Sequence, residues 1–439
     1  MTSPLRLLRL SLHVSGGPGG PRAAPRPIGI LSQFGDIARV TFDDGYIRDP
    51  ARPTLSLGYR GEGEAETRAI LGADRDARLV RHDRHLPVYF QNLLPEGPNR
   101  DRLARTRGCS PDDEFELLAA AGHDLMGALQ VDLAPLDDAT ARAIRESYRA
   151  LGMEVGATEV VAAPQDDATS LPGMVTKFSA VQDGRRYVVR RRGEAGSFIL
   201  KLPSTQHPDL VANEMTGYRL CAALGLQCAE ATVVSRADAE LPEAVPFDEI
   251  LAVRRFDRVE GGGRVHMEEF AQALQYPPRQ KYGRDLQTDY AAMLRVIDRL
   301  SAHPAPDVQE FVGRFVAFVL LGNVDGHLKN WALVYPDGVA PVLAPLYDPV
   351  CVTAFFEGHP PHVYAHNRAI DTRLRAFGWS ELEALLRGAG LLRVGRLLQR
   401  ARALVAQARS DWPALLRQAP PSVARAVTER LGGGVALTR

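Results

Sequence analysis

The sequence has few cysteines, no long apolar run and no excess charge of either sign. Its four cysteines form no CxxC pair, which argues against a zinc ribbon or a disulfide scaffold and favours a reducing cytoplasm. No stretch reaches the roughly 18 uncharged apolar residues that a membrane span needs. A formal net charge of zero gives no overall attraction to nucleic acid or to membrane. We therefore expect a soluble, cytoplasmic protein with no membrane partner.

Lysine is also scarce. It occurs only at Lys177, Lys201, Lys281 and Lys329, so 49 of the 53 basic residues are arginine. A GC-rich genome would favour arginine codons, but all four lysines fall in one central segment. An ammonium group is a compact point charge that the broad guanidinium plane cannot replace at a tight phosphate site. The lysines therefore indicate where to look for a functional site, although alone they name no function.

Short apolar runs predict strands, and apolar residues at helical spacing predict helices. The predicted strands are Leu5–Val14, Ile28–Leu31, Ile37–Phe42, Leu55–Leu57, Phe178–Val181, Arg186–Arg190, Ser197–Lys201, Ala231–Val234 and Ile250–Phe256. The predicted helices start after Leu94 and at the capping residue Ser110, and span 139–152, Leu210–Leu224, Phe311–Leu321, Leu382–Ala389, Val394–Arg409 and Trp412–Arg417. Their order predicts an α+β protein with a small α/β domain at 1–150, a β-rich lobe at 165–285 and an α-helical lobe at 286–439.

The strongest chemical signal lies in the segment GNVDGHLKN. Its Asp325 is followed five residues later by Asn330, and Asp348 comes after a predicted hairpin. This is the spacing of a kinase catalytic loop, in which the aspartate takes the proton of the attacking hydroxyl and the asparagine holds Mg²⁺. Asp348 would add a second oxygen ligand, because Mg²⁺ prefers oxygen donors and bridges nucleotide phosphates. Considered singly, Asp325 could be a turn residue and Asn330 a cap.

Two weaker patterns precede this segment. An apolar strand that ends in Lys201 is followed by a helix that carries Glu214. Kinases seat a phosphate-binding lysine in this way, although a strand-end lysine that reaches water is the commoner case. The Gly-containing turn from Ser170 to Lys177 could present backbone N–H groups to phosphate. It matches neither GxxxxGK[ST] nor GxGxxG, so alone it is equally compatible with an ordinary hairpin turn.

Other chemistries fit the sequence less well. It contains no HExxH pair for metal-dependent hydrolysis and no GxSxG elbow for a hydrolase serine. His359, His362 and His366 are close in sequence and could bind a metal. Loop histidines at such spacing are common by accident, so the metal reading is the weaker one.

Several segments, in order, resemble the HipA-type serine/threonine kinases, which are the toxins of bacterial toxin–antitoxin pairs. LPVYFQNLLPEGPNR and AAAGHDLMGAL resemble the N-terminal domain of that family. The segments that resemble its kinase core are SLPGMVTKFS, FILKLP, VANEMTGYRLCAALGL, AVRRFDR, HMEEFAQAL, KYG, NVDGHLKN and LAPLYDP. Because these segments span nearly the whole chain, the resemblance is far more specific than any single motif. It implies a bilobal kinase-like core with an all-α C-terminal lobe, preceded by a small N-terminal α/β domain.

The resemblance implies roles for individual residues. Asp325 resembles the catalytic aspartate, and Asn330 and Asp348 resemble the Mg²⁺ ligands. Ser170 resembles the serine that family members autophosphorylate, which expels the phosphate loop and silences the kinase. The implied ATP-binding positions are the phosphate lysine Lys201, the phosphate loop of Pro172, Gly173, Met174, Val175, Thr176 and Lys177, the adenine hinge at Arg254 and Phe256, and the pocket residues His327 and Tyr347.

The chain departs from the family pattern at Val175, where glutamine is usual, and at Arg254, where glutamate is usual. Val175 removes a side-chain donor from the phosphate loop, which puts the loop geometry in question. Hinge contacts use the backbone, so Arg254 could be harmless. The segment after Asp348, FFEGHPPHVYAHNR, also diverges and could alter the choice of target.

The resemblance implies ATP and Mg²⁺ as cofactors and a protein substrate, such as an aminoacyl-tRNA synthetase, whose phosphorylation stalls translation. It also implies a helix-turn-helix antitoxin, through which the protein would reach DNA only indirectly. Two alternatives stay open: a catalytically weak relative that acts as a DNA-bound co-repressor with such an antitoxin, and a small-molecule kinase, because fold does not fix substrate. The intact set of Asp325, Asn330 and Asp348 favours the protein kinase.

Overall fold

The computed structural model describes residues 5–13, 24–135, 138–150, 161–165, 168–171, 175–189, 196–204, 206–241, 245–259 and 262–439. Its strands are β1 (Leu5–Leu12), β2 (Arg26–Phe34), β3 (Ile37–Phe42), β4 (Val80–Arg81), β5 (Leu129–Leu133), β6 (Lys177–Asp183), β7 (Arg186–Val189), β8 (Phe198–Lys201), β9 (Ala231–Ser235), β10 (Ala239–Glu240), β11 (Glu249–Arg254), β12 (Arg258–Val259), β13 (Gly263–Arg264), β14 (His266–Glu269), β15 (Ala332–Tyr335) and β16 (Val342–Leu343).

Its helices are α1 (Asp44–Arg48), α2 (Glu64–Leu71), α3 (Val88–Leu93), α4 (Gly97–Arg107), α5 (Glu114–Ala120), α6 (Ala139–Ala150), α7 (Leu210–Ala223), α8 (Phe270–Ala273), α9 (Leu286–Leu300), α10 (Pro304–Leu321), α11 (Ala365–Ala376), α12 (Trp379–Gly388), α13 (Val394–Leu416) and α14 (Pro421–Glu429). Within the described ranges, no helix combines the length and the apolar character that crossing a membrane would require.

Most of the strands belong to two large sheets. A five-stranded sheet of order β4-β3-β2-β1-β5 forms, with helices α1 to α6, what we call the N-terminal unit. A six-stranded sheet of order β10-β7-β6-β8-β11-β9, which we call the core sheet, carries the two strands that end in or begin with a lysine. A smaller sheet, β14-β15-β16, joins segments on both sides of residue 285, the predicted lobe boundary. The division into three units stays a prediction.

Helices α9 to α14 form the helical lobe, and α10 runs through its centre. Every α10 residue from Phe311 to Leu321 is buried, as expected for a helix that is apolar on nearly all sides. The charged residue of this stretch, Arg314, pairs with Glu310 at 2.8 Å. The helix ends at Gly322, which has the left-handed φ of 76° and whose added Cβ would lie 2.2 Å from the Thr353 hydroxyl. Only glycine satisfies both conditions. This abrupt end turns the chain from the apolar core into the polar segment that follows.

Most of the predicted elements are confirmed, but three predictions were wrong. The segment Leu55–Leu57 is not a strand, because the Ser56 hydroxyl accepts the Gly58 N–H and starts a short 3-10 turn at Leu57–Tyr59. Helix α5 is capped by Asp113, whose carboxylate accepts the Glu116 N–H at 3.1 Å. Ser110 instead accepts the Asp112 N–H one turn earlier, at 3.1 Å.

The third wrong prediction concerns the C-terminal helices. The segments that were predicted as Val394–Arg409 and Trp412–Arg417 form one continuous helix, α13, with Pro413 inside it. The buried face runs unbroken through Ala408, Trp412 and Leu416, and the Trp412 indole N–H donates to the Leu220 carbonyl at 3.0 Å. This packing stabilises the helix across the proline, which removes one backbone donor.

A buried carboxylate joins the N-terminal unit to the small sheet. Glu268 accepts hydrogen bonds from the Ser56 hydroxyl at 2.6 Å, from the Leu57 N–H at 2.9 Å and from the Tyr335 hydroxyl. Burial raises the pKa of Glu268 to about 7, although all three donors lower it. The folded protein therefore binds this proton more tightly than the unfolded chain does.

Glu268 should make stability fall as the pH rises. Its contribution is complete below the ordinary pKa of 4.5 and is lost as the pH approaches 7. We expect this group to lower the free energy of unfolding by about 3 kcal/mol across that range. In Glu268→Gln this part of the pH dependence should disappear, whereas the exposed Glu249→Gln should keep it. Urea unfolding at several pH values measures the difference, and identical pH profiles for wild type and Glu268→Gln would contradict the assignment.

Candidate active site

A cavity of about 620 Å³ lies between the core sheet and the helical lobe, within the size range of ligand pockets. All four lysines of the chain line it, as do Asp325 and Asp348. The predicted site residues that line the cavity are Val175, Thr176, Lys177, Lys201, Arg254, Phe256, Asp325, His327, Asn330, Tyr347 and Asp348. The clustering of lysine in the sequence thus marks one place in space.

Lys201 is the centre of a buried charge cluster. Its ammonium lies 2.5 Å from a Glu214 oxygen on α7 and also donates to the Asp348 carboxylate. The close packing depends on Gly217, because a Cβ there would lie 1.6 Å from the Pro349 carbonyl oxygen. Helix α7 can therefore lie directly against the segment after Asp348, which brings Glu214 and Asp348 to the same lysine.

The cluster sets the protonation of its members. Burial alone would lower the pKa of Lys201, but the adjacent Asp348 and Glu214 carboxylates raise it above its ordinary value. Burial opposes ionisation of Asp348, yet Lys201 and then Lys177 hold its pKa at about 2. Burial raises the pKa of Glu214, which shares the same ammonium. At neutral pH the cavity thus contains a charged Lys201 beside an ionised Asp348.

Lys177 faces the same cluster from the neighbouring strand. It is the register partner of Lys201 in the antiparallel pair β6-β8. Burial lowers the pKa of Lys177, and the charge of Lys201 lowers it further, while Asp348 raises it. Two ammonium groups on adjacent strands are costly to bury together, and an anionic ligand would offset that cost.

Asp325, the candidate catalytic residue, is held by hydrogen bonds from its backbone N–H and to its backbone carbonyl. Its N–H donates to the Asn323 side-chain oxygen at 3.2 Å, and its carbonyl accepts from the Asn330 amide at 2.8 Å. The Asn323 amide nitrogen donates in turn to the Asp348 carbonyl at 3.1 Å. Asp348 itself has a left-handed φ of 56°. Asp325, Asn330 and Asp348 are therefore locked together through the backbone, which is how a local strain is retained at a functional site.

The side chain of Asp325 is also engaged. Its Oδ1 accepts from the Tyr282 hydroxyl and, at 3.5 Å, lies near the Asn367 amide nitrogen. The amide nitrogen of Asn330 is used by the Asp325 carbonyl, which leaves the Asn330 side-chain oxygen for a cation. The sequence predicted Asp325 and Asn330 from their spacing but not Tyr282.

A second charge network ties the N-terminal unit to this loop. Glu96, which precedes α4, lies 2.8 Å from the Lys329 ammonium and 2.9 Å from the Lys281 ammonium. Burial raises the pKa of Glu96, but the two lysines lower it more strongly, to about 2. Glu269 approaches Lys329 only to 3.8 Å, and burial raises its pKa to about 8. Neither Glu96 nor Glu269 could be assigned a role from the sequence, because no short motif contains them together with their partners.

The predicted hinge lies at the end of β11. The Phe256 and Tyr347 rings are tilted at 40° to each other with centroids 5.7 Å apart, and both line the cavity. The flanking residues Arg255 and Asp257 are buried and hydrogen-bonded to each other, and Arg255 also reaches Asp124 of the N-terminal unit at 2.9 Å. This network holds the backbone around Phe256 in place.

Arg254, the other hinge prediction, has a half-exposed side chain, with its guanidinium 5.7 Å from the centroid of the Phe198 ring and 3.8 Å from Glu230. Its backbone N–H donates to the Glu230 carbonyl at 2.8 Å. Arg254 therefore lines the cavity without disturbing the strand, and the expectation that an arginine here is harmless stays a prediction.

The end of the predicted phosphate loop is fixed by α4. The Asn99 amide nitrogen donates to the Val175 carbonyl at 2.8 Å, and the Lys177 N–H donates to the Asn99 side-chain oxygen at 3.3 Å. These backbone contacts hold the position of Val175 without the side-chain donor it lacks. The predictions for Pro172, Gly173 and Met174 fall outside the described residues.

Ser170, at the start of that loop, does not line the cavity. It is completely buried, its hydroxyl donates to the Leu93 carbonyl, and its N–H donates to the Asp124 carbonyl at 3.3 Å. Both partners belong to the N-terminal unit. Its predicted role as a modified serine stays a prediction.

His327, like the other predicted pocket residue Tyr347, lines the cavity. The residue is half-buried, but its Nδ1 is buried and has no hydrogen-bond partner among the described residues. Burial lowers the pKa of His327 to about 4, so the ring is neutral at physiological pH. A buried polar atom without a partner in a cavity wall is a position where a ligand can supply one.

The alternative of a histidine metal site finds no support. Across the described ranges, no group of three or more His, Cys, Asp or Glu side chains is arranged to hold a metal ion. His359 lies near the His207 ring, at 6.2 Å between centroids, whereas His366 packs against Tyr282.

The residues around Asp348 fit Mg²⁺ with a nucleotide. Mg²⁺ in nucleotide enzymes usually takes one or two protein oxygen ligands and completes its shell with phosphates and water. The ionised Asp348 and the side-chain oxygen of Asn330 match that donor set. Lys177 and Lys201 add positive charge for the phosphates. The unpartnered Nδ1 of His327 and the aromatic pair Phe256–Tyr347 suit a base and a sugar.

Comparison with known proteins identifies the family. Residues 22–132 match the family model described as HipA N-terminal domain, and residues 169–412 match the HipA-like C-terminal domain. The chain is 33% identical over 401 residues to Y4dM of Sinorhizobium fredii, which is provisionally named a kinase, covering 90% of this chain and 91% of Y4dM. The chain belongs to the HipA family.

Other HipA proteins agree with this assignment. The serine/threonine-protein kinase toxin HipA of Shewanella oneidensis is 26% identical over 300 residues, which is 62% of this chain and 64% of that protein. The structure of a Shewanella oneidensis MR-1 HipA, solved with HipB and its operator DNA, matches with a TM-score of 0.63 at 20% identity. It covers 97% of this chain and 96% of the other. The predicted α+β, bilobal kinase-like fold is therefore confirmed.

Proposed function

We propose that this HipA-family protein is an ATP- and Mg²⁺-dependent kinase that phosphorylates serine or threonine hydroxyls of a protein. The observation that carries the proposal is the convergence of Lys201, Asp325, Asn330 and Asp348 on one cavity. These residues come from the core sheet and from the loops after α10 and β16, yet they match the parts that a kinase requires.

Each residue has a distinct task in this proposal. Lys201, kept charged by its carboxylate neighbours, contacts the phosphates of ATP. Asp348 and Asn330 would hold Mg²⁺, which would neutralise negative charge on the phosphates. The oxygen of the substrate hydroxyl bonds to the γ-phosphorus and ADP leaves, while Asp325 accepts the proton of that hydroxyl.

The family supports further, finer proposals. An aminoacyl-tRNA synthetase is the proposed target, and translation would stop once it is phosphorylated. A helix-turn-helix antitoxin is the proposed partner, and DNA would be reached through it. The solved Shewanella oneidensis MR-1 HipA complex contains HipB and operator DNA, which supports the partner more directly than the target.

Binding of ATP tests the proposal before any target is known. Calorimetric titration of the purified protein should give one ATP site whose affinity requires Mg²⁺. Asp348→Asn should retain folding and lose most of the Mg²⁺ dependence, because the amide cannot supply the negative charge of the carboxylate. The exposed Asp411→Asn serves as the control. Absence of ATP binding by folded wild-type protein would contradict the proposal.

Ser170 should regulate this activity if it is phosphorylated. A phosphate adds a charge of roughly −1.5 to −2, and the buried site against Leu93 leaves no solvent to hydrate it. The segment that contains Ser170 would have to move out of this buried position, and the predicted phosphate loop that follows it would move as well. We expect phosphorylated protein to bind ATP weaker by about tenfold or more.

Mass spectrometry after incubation with ATP and Mg²⁺ measures the modification, with neighbouring Thr169 as the internal comparison. Phosphate on Ser170 in wild type and not in Asp325→Asn is the expected result. Equal modification of the inactive variant, or none in an active enzyme, would exclude self-inactivation through Ser170.

A further inference from the structure

The side chain of Tyr282 occupies an unusual place for a surface tyrosine. It is 37% exposed, it lines the mouth of the nucleotide cavity, and its hydroxyl donates to Oδ1 of Asp325. A hydroxyl that is about to be phosphorylated must make that same hydrogen bond to the catalytic aspartate. Tyr282 therefore stands where an acceptor hydroxyl would stand.

The position of Tyr282 is fixed by its surroundings. Its ring packs edge-on against His327 at 5.3 Å and against His366 at 4.3 Å between centroids. The preceding residue, Lys281, pairs with Glu96, and its carbonyl accepts the Leu328 N–H at 2.9 Å. The tyrosine is thus held against Asp325 by both its ring and its backbone.

We propose that Tyr282 is an intramolecular stand-in for the acceptor hydroxyl, which engages Asp325 until a substrate hydroxyl displaces it. The inference rests on the proposed kinase function. Tyr282 is then a positioning residue that keeps water from the Asp325 carboxylate. It also raises the acceptor concentration that the kinase needs, because each acceptor hydroxyl must displace it. Burial and then the carboxylate of Asp325 raise the pKa of Tyr282, so the phenol stays protonated and remains a donor.

The stand-in should suppress a side reaction. Without an acceptor, water can attack the γ-phosphorus: a bond forms from its oxygen, its proton passes to Asp325, and the bond to the β-phosphate oxygen breaks to release ADP and phosphate. While Tyr282 engages Asp325, water must compete with it for the base. Loss of a hydrogen bond to a charged group changes such a competition by about tenfold.

The test uses the full-length protein and a matched pair of variants. Tyr282→Phe keeps the ring packing and removes the hydroxyl. Tyr276→Phe makes the same change six residues earlier, where the hydroxyl donates to a different carboxylate, Asp289, at 2.7 Å and does not line the cavity. We expect Tyr282→Phe to raise ATP hydrolysis without acceptor about tenfold, and Tyr276→Phe to match wild type.

A second readout separates this role from a structural one. With dephosphorylated casein as the acceptor, Tyr282→Phe should lower the KM for casein and leave the KM for ATP unchanged. If wild type is an active kinase and a folded Tyr282→Phe hydrolyses ATP at the wild-type rate or more slowly, the inference is wrong and the proposed function still stands. If wild type and every variant neither bind nor use ATP, the proposed function fails and the inference fails with it.

Discussion

Replacing Asp325 with asparagine should reduce phosphoryl transfer by about 100-fold or more, because a positioned proton acceptor contributes that much to such reactions. The amide keeps the size of the side chain and can still accept from Tyr282, but it cannot take up a proton. The hydrogen bonds that lock the loop use the backbone N–H and carbonyl of Asp325. The variant should therefore fold normally and bind ATP like the wild type.

The measurement is the initial rate of transfer from labelled ATP, with Asp411→Asn, on the exposed face of α13, as the control. Thermal unfolding within a few degrees of wild type would show that the loss is chemical. An Asp325→Asn protein that transferred phosphate at the wild-type rate would remove Asp325 from the catalytic role.

Replacing Lys201 with arginine should lower kcat/KM for ATP by about 100-fold although the charge is kept. Lys201 is 5% exposed, and its ammonium lies between Glu214 and Asp348. A guanidinium is broader than this space and would shift Asp348, whose position is set by its backbone contact with Asn323. The variant should therefore bind ATP and Mg²⁺ more weakly, whereas its KM for the acceptor should not change.

Lys201→Met provides the comparison. It removes the cation that Glu214 and Asp348 share and leaves the buried Glu214 carboxylate without its partner, which should cost about 3–5 kcal/mol of folding stability. Steady-state kinetics and urea unfolding of both variants distinguish lost function from lost stability. Unchanged ATP turnover in Lys201→Arg would reduce Lys201 to a strand-end lysine.

Local spacing explains which site residues the sequence could predict. Asp325 and Asn330 are five residues apart on one loop, and Lys201 ends a strand whose apolar pattern is plain. Asp348 follows a short hairpin, β15-β16, that the sequence also indicates. Such residues can be assigned because one turn or one strand fixes their relative positions.

Long-range packing explains which residues it could not predict. Glu96 reaches Lys281 and Lys329 across more than 180 residues of sequence, and neither contact leaves a local pattern. Tyr282 meets Asp325 only because its segment packs against the catalytic loop. The scarcity of lysine was the one available signal, since it singled out Lys281 and Lys329 before their partners were known.

The errors in the fold have the same origin. Leu55–Leu57 has the apolar character of a strand, but Ser56 donates its hydroxyl to Glu268, more than 200 residues away, and turns the chain. The gap predicted between two C-terminal helices is bridged because Trp412 is buried against α7. In both cases a tertiary contact outweighs a local preference.

Transfer of the γ-phosphoryl group to protein tests the central claim most directly. Purified wild type and Asp325→Asn are incubated with γ-labelled ATP, Mg²⁺ and cell proteins, and the labelled residues are identified. The predicted result is Mg²⁺-dependent label on serine or threonine with wild type and nearly none with the variant. Equal labelling by both proteins, or label only in small molecules, would contradict the account.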